Sequence, residues 1–269
     1  MNFAFLNKIR EHELAAAGSH FSQSPGRLLE IGAGTGSLSA VLAARGFEVS
    51  AIEIAGSIYE NEQVFPVSVY NGVDLPFADA SFDIVFSSHV LVHIPKLDAF
   101  QREILRVLKP GGHVVHILPT TAWRFWTCLV HYPASYARHG LQAWKKLLGN
   151  NHLHISAPQH TSPMTQPQRG RSAGFAARAL QKLLKPLTPP ARISERGNAL
   201  SEHFFFSEYC WKQLFRSNGQ VVEACLPSRL FYTGHLSLAP HLEMRARKVL
   251  SYLLGSAGKI YVLRPSKQK

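Results

Sequence analysis

The feature that most constrains this chain is a run of alternating glycines behind an acid, Glu30-Ile31-Gly32-Ala33-Gly34-Thr35-Gly36. It sits where a short apolar run, Arg27–Ile31, meets a helical period, Ser37–Ala44, closed by Gly46. Glycines at such a strand-to-helix junction let the backbone approach a ligand closely. The free N–H groups and dipole of the helix that follows suit a carboxylate or phosphate. Glu53 ends the next apolar run, Phe47–Ile54. An acid there, about 20 residues beyond the first glycine, accepts hydrogen bonds from the ribose hydroxyls of a nucleoside-bearing cofactor. The dinucleotide fingerprint G-x-G-x-x-G is not met: counted from Gly32 its last position is Ser37, and from Gly34 it is Ser39. This disfavours NAD.

The pattern around this loop predicts an α/β fold. A helix near Ala55–Gln63, a third strand at Val64–Val69, a fourth at Phe82–Ser87, a helix over Asp98–Leu108 closed by Lys109-Pro110-Gly111-Gly112, and a fifth strand at His113–Leu118 follow. Apolar strands alternating with helices indicate a parallel sheet covered on both faces. After Pro119 the pattern loosens. Thr121–Tyr132 is aromatic-rich, Tyr136–Gly149 reads as a short helix, Asn150–Gly174 as a polar loop and Phe175–Leu187 as an amphipathic helix. Regular character returns with a helix over Ser207–Ser217 capped by Ser207, a strand at Gln220–Leu226, a helix at Leu242–Leu254 and a last strand at Lys259–Leu263. The fold expected is a Rossmann-like, doubly wound, seven-stranded sheet whose last strand is antiparallel beside the sixth. Residues 1–118 form its cofactor-binding core, 119–203 a mainly helical insertion, and 204–269 the C-terminal part of the sheet.

The acid-led glycines resemble motif I, E/D-x-G-x-G-x-G, of the class I S-adenosylmethionine-dependent methyltransferases. Asp74-Leu75-Pro76-Phe77 with Ser81-Phe82-Asp83-Ile84-Val85, then Ser87-Ser88-His89-Val90-Leu91-Val92-His93-Ile94 and Arg106-Val107-Leu108-Lys109-Pro110-Gly111-Gly112, are similar to the UbiE-like, type 11 group of small-molecule methyltransferases. The likeness covers about residues 25–118. It implies S-adenosyl-L-methionine as cofactor, with Glu30, Gly32, Ala33, Gly34 and Gly36 as the floor on the methionine side. It implies Glu53 on the ribose and Ile54 packed on the adenine. Asn71, Gly72 and Val73 would frame the adenine edge, and Ser88 with His89 would line the site after the fourth strand. Where many relatives carry an Asp, this chain has Asn71, whose amide oxygen can still accept from the adenine amino group. Methyl transfer is an in-line displacement that the enzyme mainly aligns. His89 and His93 are the candidate bases if the nucleophile is a hydroxyl. No Asn-Pro-Pro-Tyr-type motif follows the fourth strand and no Pro-Cys pair is present, so an oxygen of a small, lipid-linked or glycan-linked acceptor is the preferred nucleophile.

Charge bears on the acceptor. Of 29 Lys/Arg and 17 Asp/Glu, the segment from Pro119 to Leu200 holds 11 basic residues and one acid, Glu195. Its aromatic, basic content has three readings: peripheral membrane contact through residues 121–187 with the Trp123/Trp126 cluster, a solvated lid, or nucleic-acid binding. An RNA methyltransferase and a non-catalytic cofactor-binding protein are the alternatives to a small-molecule enzyme. The N-terminal stretch reads as an amphipathic helix rather than a signal peptide. Cys128, Cys210 and Cys225 form neither a disulfide framework nor a metal knuckle, and His152-x-His154 lacks partnered acids or cysteines, so no metal is expected. A cytoplasmic, possibly membrane-associated protein is the resulting expectation.

Overall fold

The computed structural model describes residues 3–21, 25–131, 191–234 and 242–266. Seven strands form one sheet: β1 (Arg27–Ile31), β2 (Glu48–Ile54), β3 (Val67–Tyr70), β4 (Phe82–Ser88), β5 (Leu108–Pro119), β6 (Gln220–Pro227) and β7 (Gly258–Pro265). Their order is β3-β2-β1-β4-β5-β7-β6. The first five run parallel, and β7 lies antiparallel to both β5 and β6. Strand order reverses between β1 and β4. Their carboxyl ends therefore open the crevice in which doubly wound sheets bind ligands.

Helices α1 (Phe3–Ala16), α2 (Ser37–Ala44), α3 (Leu97–Val107), α4 (residues 121–131 as far as described), α5 (Glu202–Phe205), α6 (Glu208–Ser217) and α7 (Met244–Leu254) cover the sheet. Side chains alternate along each strand, so two cores form. Leu28, Ile84, Phe86, Val115 and Ile117 face Leu14, Leu38 and Leu42 of α1 and α2. Leu29, Ile31, Val85, Val114 and Leu118 face Phe100 and Ile104 of α3 and Trp211 and Phe215 of α6. The capping expected at Ser207 is present: its hydroxyl accepts from the Cys210 N–H at 3.2 Å, which satisfies one of the orphan donors of the first turn.

Three elements differ from expectation. Residues 55–63 hold no α-helix but a turn with a 3₁₀ segment at Glu60–Glu62. Gly56, at φ +70°, bends the chain. The segment docks instead on the glycine loop, where the Val64 N–H donates to the Thr35 carbonyl at 2.8 Å. Strand β3 begins at Val67 rather than Val64, after Pro66, which has no N–H to give a ladder. Strand β5 runs back through Lys109-Pro110-Gly111-Gly112 to Leu108, with a register shift against β4 between Phe82 and Ile84. A Cβ at Gly112 would lie 2.8 Å from the Asp83 carbonyl, so only glycine fits there.

Between β5 and β6 the described ends of the insertion pack into the same core. Trp123, Phe205 and Phe206 join the cluster of α3 and α6. Arg124 and Glu202, both fully buried, face each other at 2.8 Å, though that contact is off-axis for a hydrogen bond. The other oxygen of Glu202 accepts from the backbone of Ile193 and Ser194 and from the Ser194 hydroxyl. The expected helix over Tyr136–Gly149, the loop at Asn150–Gly174 and the amphipathic helix at Phe175–Leu187 lie outside the described residues. Trp123 and Trp126 face inward. Trp123 packs on Phe206, and the Trp126 indole N–H donates to the Leu254 carbonyl at 2.8 Å. They therefore form no outward aromatic cluster.

Candidate functional site

The glycine loop is held by backbone. Gly32 and Ala33 N–H groups donate to the Ile52 carbonyl at 2.9 and 3.1 Å, and Gly36 N–H to Ala33 at 2.8 Å. Gly32, Gly34 and Gly36 all take positive φ, from +57° to +75°. At Gly32 and Gly36 space is also lacking: a Cβ would meet Val90 Cγ2 at 2.2 Å and Phe65 Cβ at 2.7 Å. The alternating glycines thus answer both backbone handedness and close packing. Over Gly34 lies the ring of Tyr59, 3.3 Å from where a Cβ would stand.

Glu53, the last residue but one of β2, has its carboxylate folded onto this loop. It accepts from Gly34 N–H and from Ile54 N–H, each at 2.9 Å. Glu30 is buried below, and its carboxyl accepts from the Ser39 hydroxyl. Burial and, secondarily, the nearby Glu53 charge push Glu30 up to about 8 against the Ser39 hydrogen bond. Glu30 thus holds its proton at neutral pH while the unfolded chain does not. That contribution to stability is full below the ordinary 4.5 and is lost as pH rises toward 8. Glu30→Gln keeps an acceptor for Ser39 and has no proton to lose. Thermal melts should show a higher Tm than the parent at pH 9 and little change at pH 5. Equal shifts at both would contradict the buried, protonated acid.

On the adenine side predicted from sequence, Ile54 and Val73 are about half exposed. A shallow cavity beside them is lined by Gly72, Val73, Ile94, Pro95, Lys96 and Phe100. Asn71 builds the turn itself: its amide oxygen accepts from Val73 N–H at 2.9 Å and Asp74 N–H at 2.8 Å, and its NH₂ donates to Asp74. That oxygen is occupied by backbone, unlike the free acceptor expected. At the end of β4, Ser88 carries a buried hydroxyl with no partner. His89 follows at φ +60°, a conformation rare outside glycine.

His89 belongs to a polar cluster that the sequence did not reveal. Its Nε2 lies 3.1 Å from Glu13 Oε2 of α1 and 3.3 Å from the Tyr232 hydroxyl. Arg10 donates to Glu13 at 2.7 Å and to Tyr232 at 3.1 Å. The Tyr232 and Ser228 hydroxyls donate to the other oxygen of Glu13. Burial raises the Glu13 pKa, but His89 and Arg10 outweigh it and hold the carboxyl at about 2. An ionised Glu13 only accepts, so His89 must carry its proton on Nε2 and leave Nδ1 bare. Burial, joined by the Arg10 charge, keeps the His89 pKa below the usual histidine range. His93 is exposed in a 3₁₀ turn. No signal in the sequence joins residues 13, 89 and 232.

The glycine loop, Glu53, Ser88 and His89 lie within the segment that matches a known family, whereas Arg10, Glu13 and Tyr232 lie outside it. The chain is 43% identical over 91 residues to the biotin biosynthesis bifunctional protein BioHC of Cellvibrio japonicus, covering 32% of this chain and 18% of that one. It is 30% identical over 142 residues to the ubiquinone/menaquinone biosynthesis C-methyltransferase UbiE of Geotalea daltonii, covering 46% and 60%. Residues 29–116 match the sequence model described as a methyltransferase domain. This segment is a class I S-adenosylmethionine-dependent methyltransferase domain. The chain spans 60% or less of the length of these two relatives. The fold extends beyond the matched segment. An S-adenosylmethionine-dependent methyltransferase from Mesorhizobium loti superposes with a TM-score of 0.52 at 13% identity, over 94% of this chain and 97% of that one.

Two motifs of the methyltransferase domain build its scaffold. Asp83 accepts from Arg27 N–H and Lys109 Nζ, both at 2.8 Å, which ties the start of β1 to the irregular stretch of β5. Arg106 of α3 donates to the Leu75 and Phe77 carbonyls and to Glu103 and Asp79, which fastens the Leu75–Phe77 turn. The crevice fits the domain's cofactor, S-adenosylmethionine. Ser88 Oγ is an orphaned buried hydroxyl, Glu53 is an anchored carboxylate, and Ile54 and Val73 are uncovered apolar side chains. Among the described residues, no three of His, Cys, Asp and Glu gather as a metal site, and no helix is long and apolar enough to cross a membrane.

Proposed function

We propose that the protein methylates an oxygen of a small or lipid-linked acceptor, with His89 as the base. The observation that carries this reading is the Glu13–His89 pair at the carboxyl end of β4, one residue from Val90, which packs against Gly32. Bound S-adenosylmethionine supplies an electrophilic methyl carbon on sulfur. The chain's own residues do the rest. Glu53 holds the ribose, while Ile54 and Val73 flank the adenine. Gly32, Ala33, Gly34 and Gly36 keep side chains out of the methionine path, with Glu30 beneath and Ser88 at the rim. Asn71 shapes the adenine turn rather than reading the base. Glu13 fixes the His89 tautomer so that Nδ1 can take the proton of an acceptor hydroxyl as the oxygen attacks. The relatives' printed names include a C-methyltransferase, UbiE, and an O-methyltransferase, resE, of Aspergillus sclerotiorum. The preference for oxygen rests on the histidine–carboxylate pair.

The test is transfer of isotope-labelled methyl to a panel of phenols, quinols and lipid-linked alcohols, with wild type and His89→Asn. On the accepted substrate, His89→Asn should lower kcat by about 10²–10⁴-fold and leave the affinity for S-adenosylmethionine in place. The acid limb of the wild-type pH profile should lie below 6.5, the ordinary histidine value. An unchanged kcat would remove His89 from the reaction. Transfer only to carbon would remove the oxygen assignment.

A further inference from the structure

Helices α4 and α7 each bury an arginine and leave large apolar side chains exposed. On α7 the buried positions are Arg247 and Ser251, while Val249, Tyr252 and Leu253 are 62%, 69% and 77% exposed. On α4, Arg124 and Thr127 are buried, and Phe125 and Leu129 are about half exposed. The inward arginines are used inside the protein. Arg247 donates to the Leu242 and Phe231 carbonyls and lies over the Phe5 ring, and Arg124 faces Glu202. Core packing thus accounts for the inward faces and leaves the outward apolar residues unexplained.

The two helices adjoin. Trp126 of α4 donates to Leu254 of α7, and its ring meets Phe125 edge-on at 5.1 Å. A Cβ at Gly255 would stand 2.7 Å from Ala122 Cβ. The patch also lies at the working end of the sheet. β5 is parallel to the strands that carry the site, and β7 is antiparallel to β5. The exit of β5 into α4 and the entry from α7 into β7 therefore share the end that bears the glycine loop.

Charge selects the occupant. Residues 121–131 and α7 contain no acid. Arg245 and Lys248 stand one turn before Val249 and Tyr252 respectively, all four exposed, and Arg229 lies over the Tyr252 ring at 4.5 Å. The acid next in sequence, Glu243, stands before the first turn of α7. We infer that this face docks on an anionic lipid surface, with the apolar side chains at the acyl boundary and the cations on head groups. Vesicle binding needs neither cofactor nor acceptor, so this inference stands or falls apart from the methyl-transfer reading.

The experiment is flotation of the 269-residue chain with vesicles of phosphatidylcholine alone and of phosphatidylcholine with about one third phosphatidylglycerol. The expected result is binding to the anionic vesicles at low salt, at least about tenfold weaker on neutral vesicles and in high salt. Tyr252→Ser with Leu253→Ser, and separately Arg245→Glu with Lys248→Glu, should each weaken it at least about tenfold while far-ultraviolet dichroism stays native. No binding of wild type to anionic vesicles overturns the inference, as does undiminished binding by the Tyr252/Leu253 variant. A wild-type dimer that this variant converts to monomer also overturns it, because a second copy would then be the occupant.

Discussion

Glu53→Ala weakens S-adenosylmethionine binding by roughly a hundredfold or more, on about 1.5–3 kcal/mol for each of two charge-assisted ribose hydrogen bonds. Gly34 and Ile54 N–H groups hold both of its oxygens at 2.9 Å, so in the proposed role the carboxylate is in place before any ligand arrives. That preorganisation spares the cost of ordering a free side chain on binding. It also ties Glu53 to the loop, so the alanine variant loosens Gly34 as well as losing the acceptors. Glu53→Gln separates the two effects. One amide oxygen can still receive the Gly34 N–H, so its affinity should fall between wild type and alanine. Calorimetric titration of the three proteins gives the order, and thermal melts confirm that each is folded. Equal affinity for all three would remove Glu53 from the site.

The second large effect is on stability. Glu13→Ala should cost about 3–5 kcal/mol, since it leaves the Arg10 charge and three further polar groups without their shared acceptor. For a chain of this size that is a Tm loss on the order of 10 °C. The same carboxylate has a pH signature. Its folded value of about 2 lies below the ordinary 4.5, so the stability it adds is present above 4.5 and lost as pH falls toward 2. Glu13→Gln keeps an acceptor but cannot titrate, and its melting temperature should fall less steeply over that range. Melts of the three proteins between pH 2.5 and 7 test this. A Glu13→Ala variant as stable as wild type would mean that the cluster does not hold α1 to the sheet.

How far the sequence could be read follows from how local each signal is. The glycine loop, the strand at Arg27–Ile31 and the helix at Ser37–Ala44 were legible because each is set by neighbours a few residues apart: alternating glycines, an apolar run, a closing Gly46. The cap at Ser207 was legible for the same reason. The apparent helix near Ala55–Gln63 failed because its chain is shaped by a distant partner, the Thr35 carbonyl, rather than by its own period. The membrane reading, one of three for this segment, needs Trp123 and Trp126 outward, yet sequence alone does not tell which face of α4 meets the sheet. Glu13 illustrates the limit most clearly. It sits on the buried face of α1 beside Leu6, Ile9 and Leu14, where the helical period calls for another apolar residue. Its partners are 76 and 219 residues away. The resemblance implies that Asn71 frames the adenine with a free amide oxygen, but a turn two to three residues long takes that oxygen up.

The central claim is that the crevice at the β1/β4 switch takes S-adenosylmethionine and not a dinucleotide. The most direct measurement is calorimetric titration of the purified protein with S-adenosylmethionine and, separately, with NAD. Micromolar-range, saturable binding of S-adenosylmethionine alone is the result predicted. Binding of NAD with no response to S-adenosylmethionine would contradict the claim, and so would silence toward both.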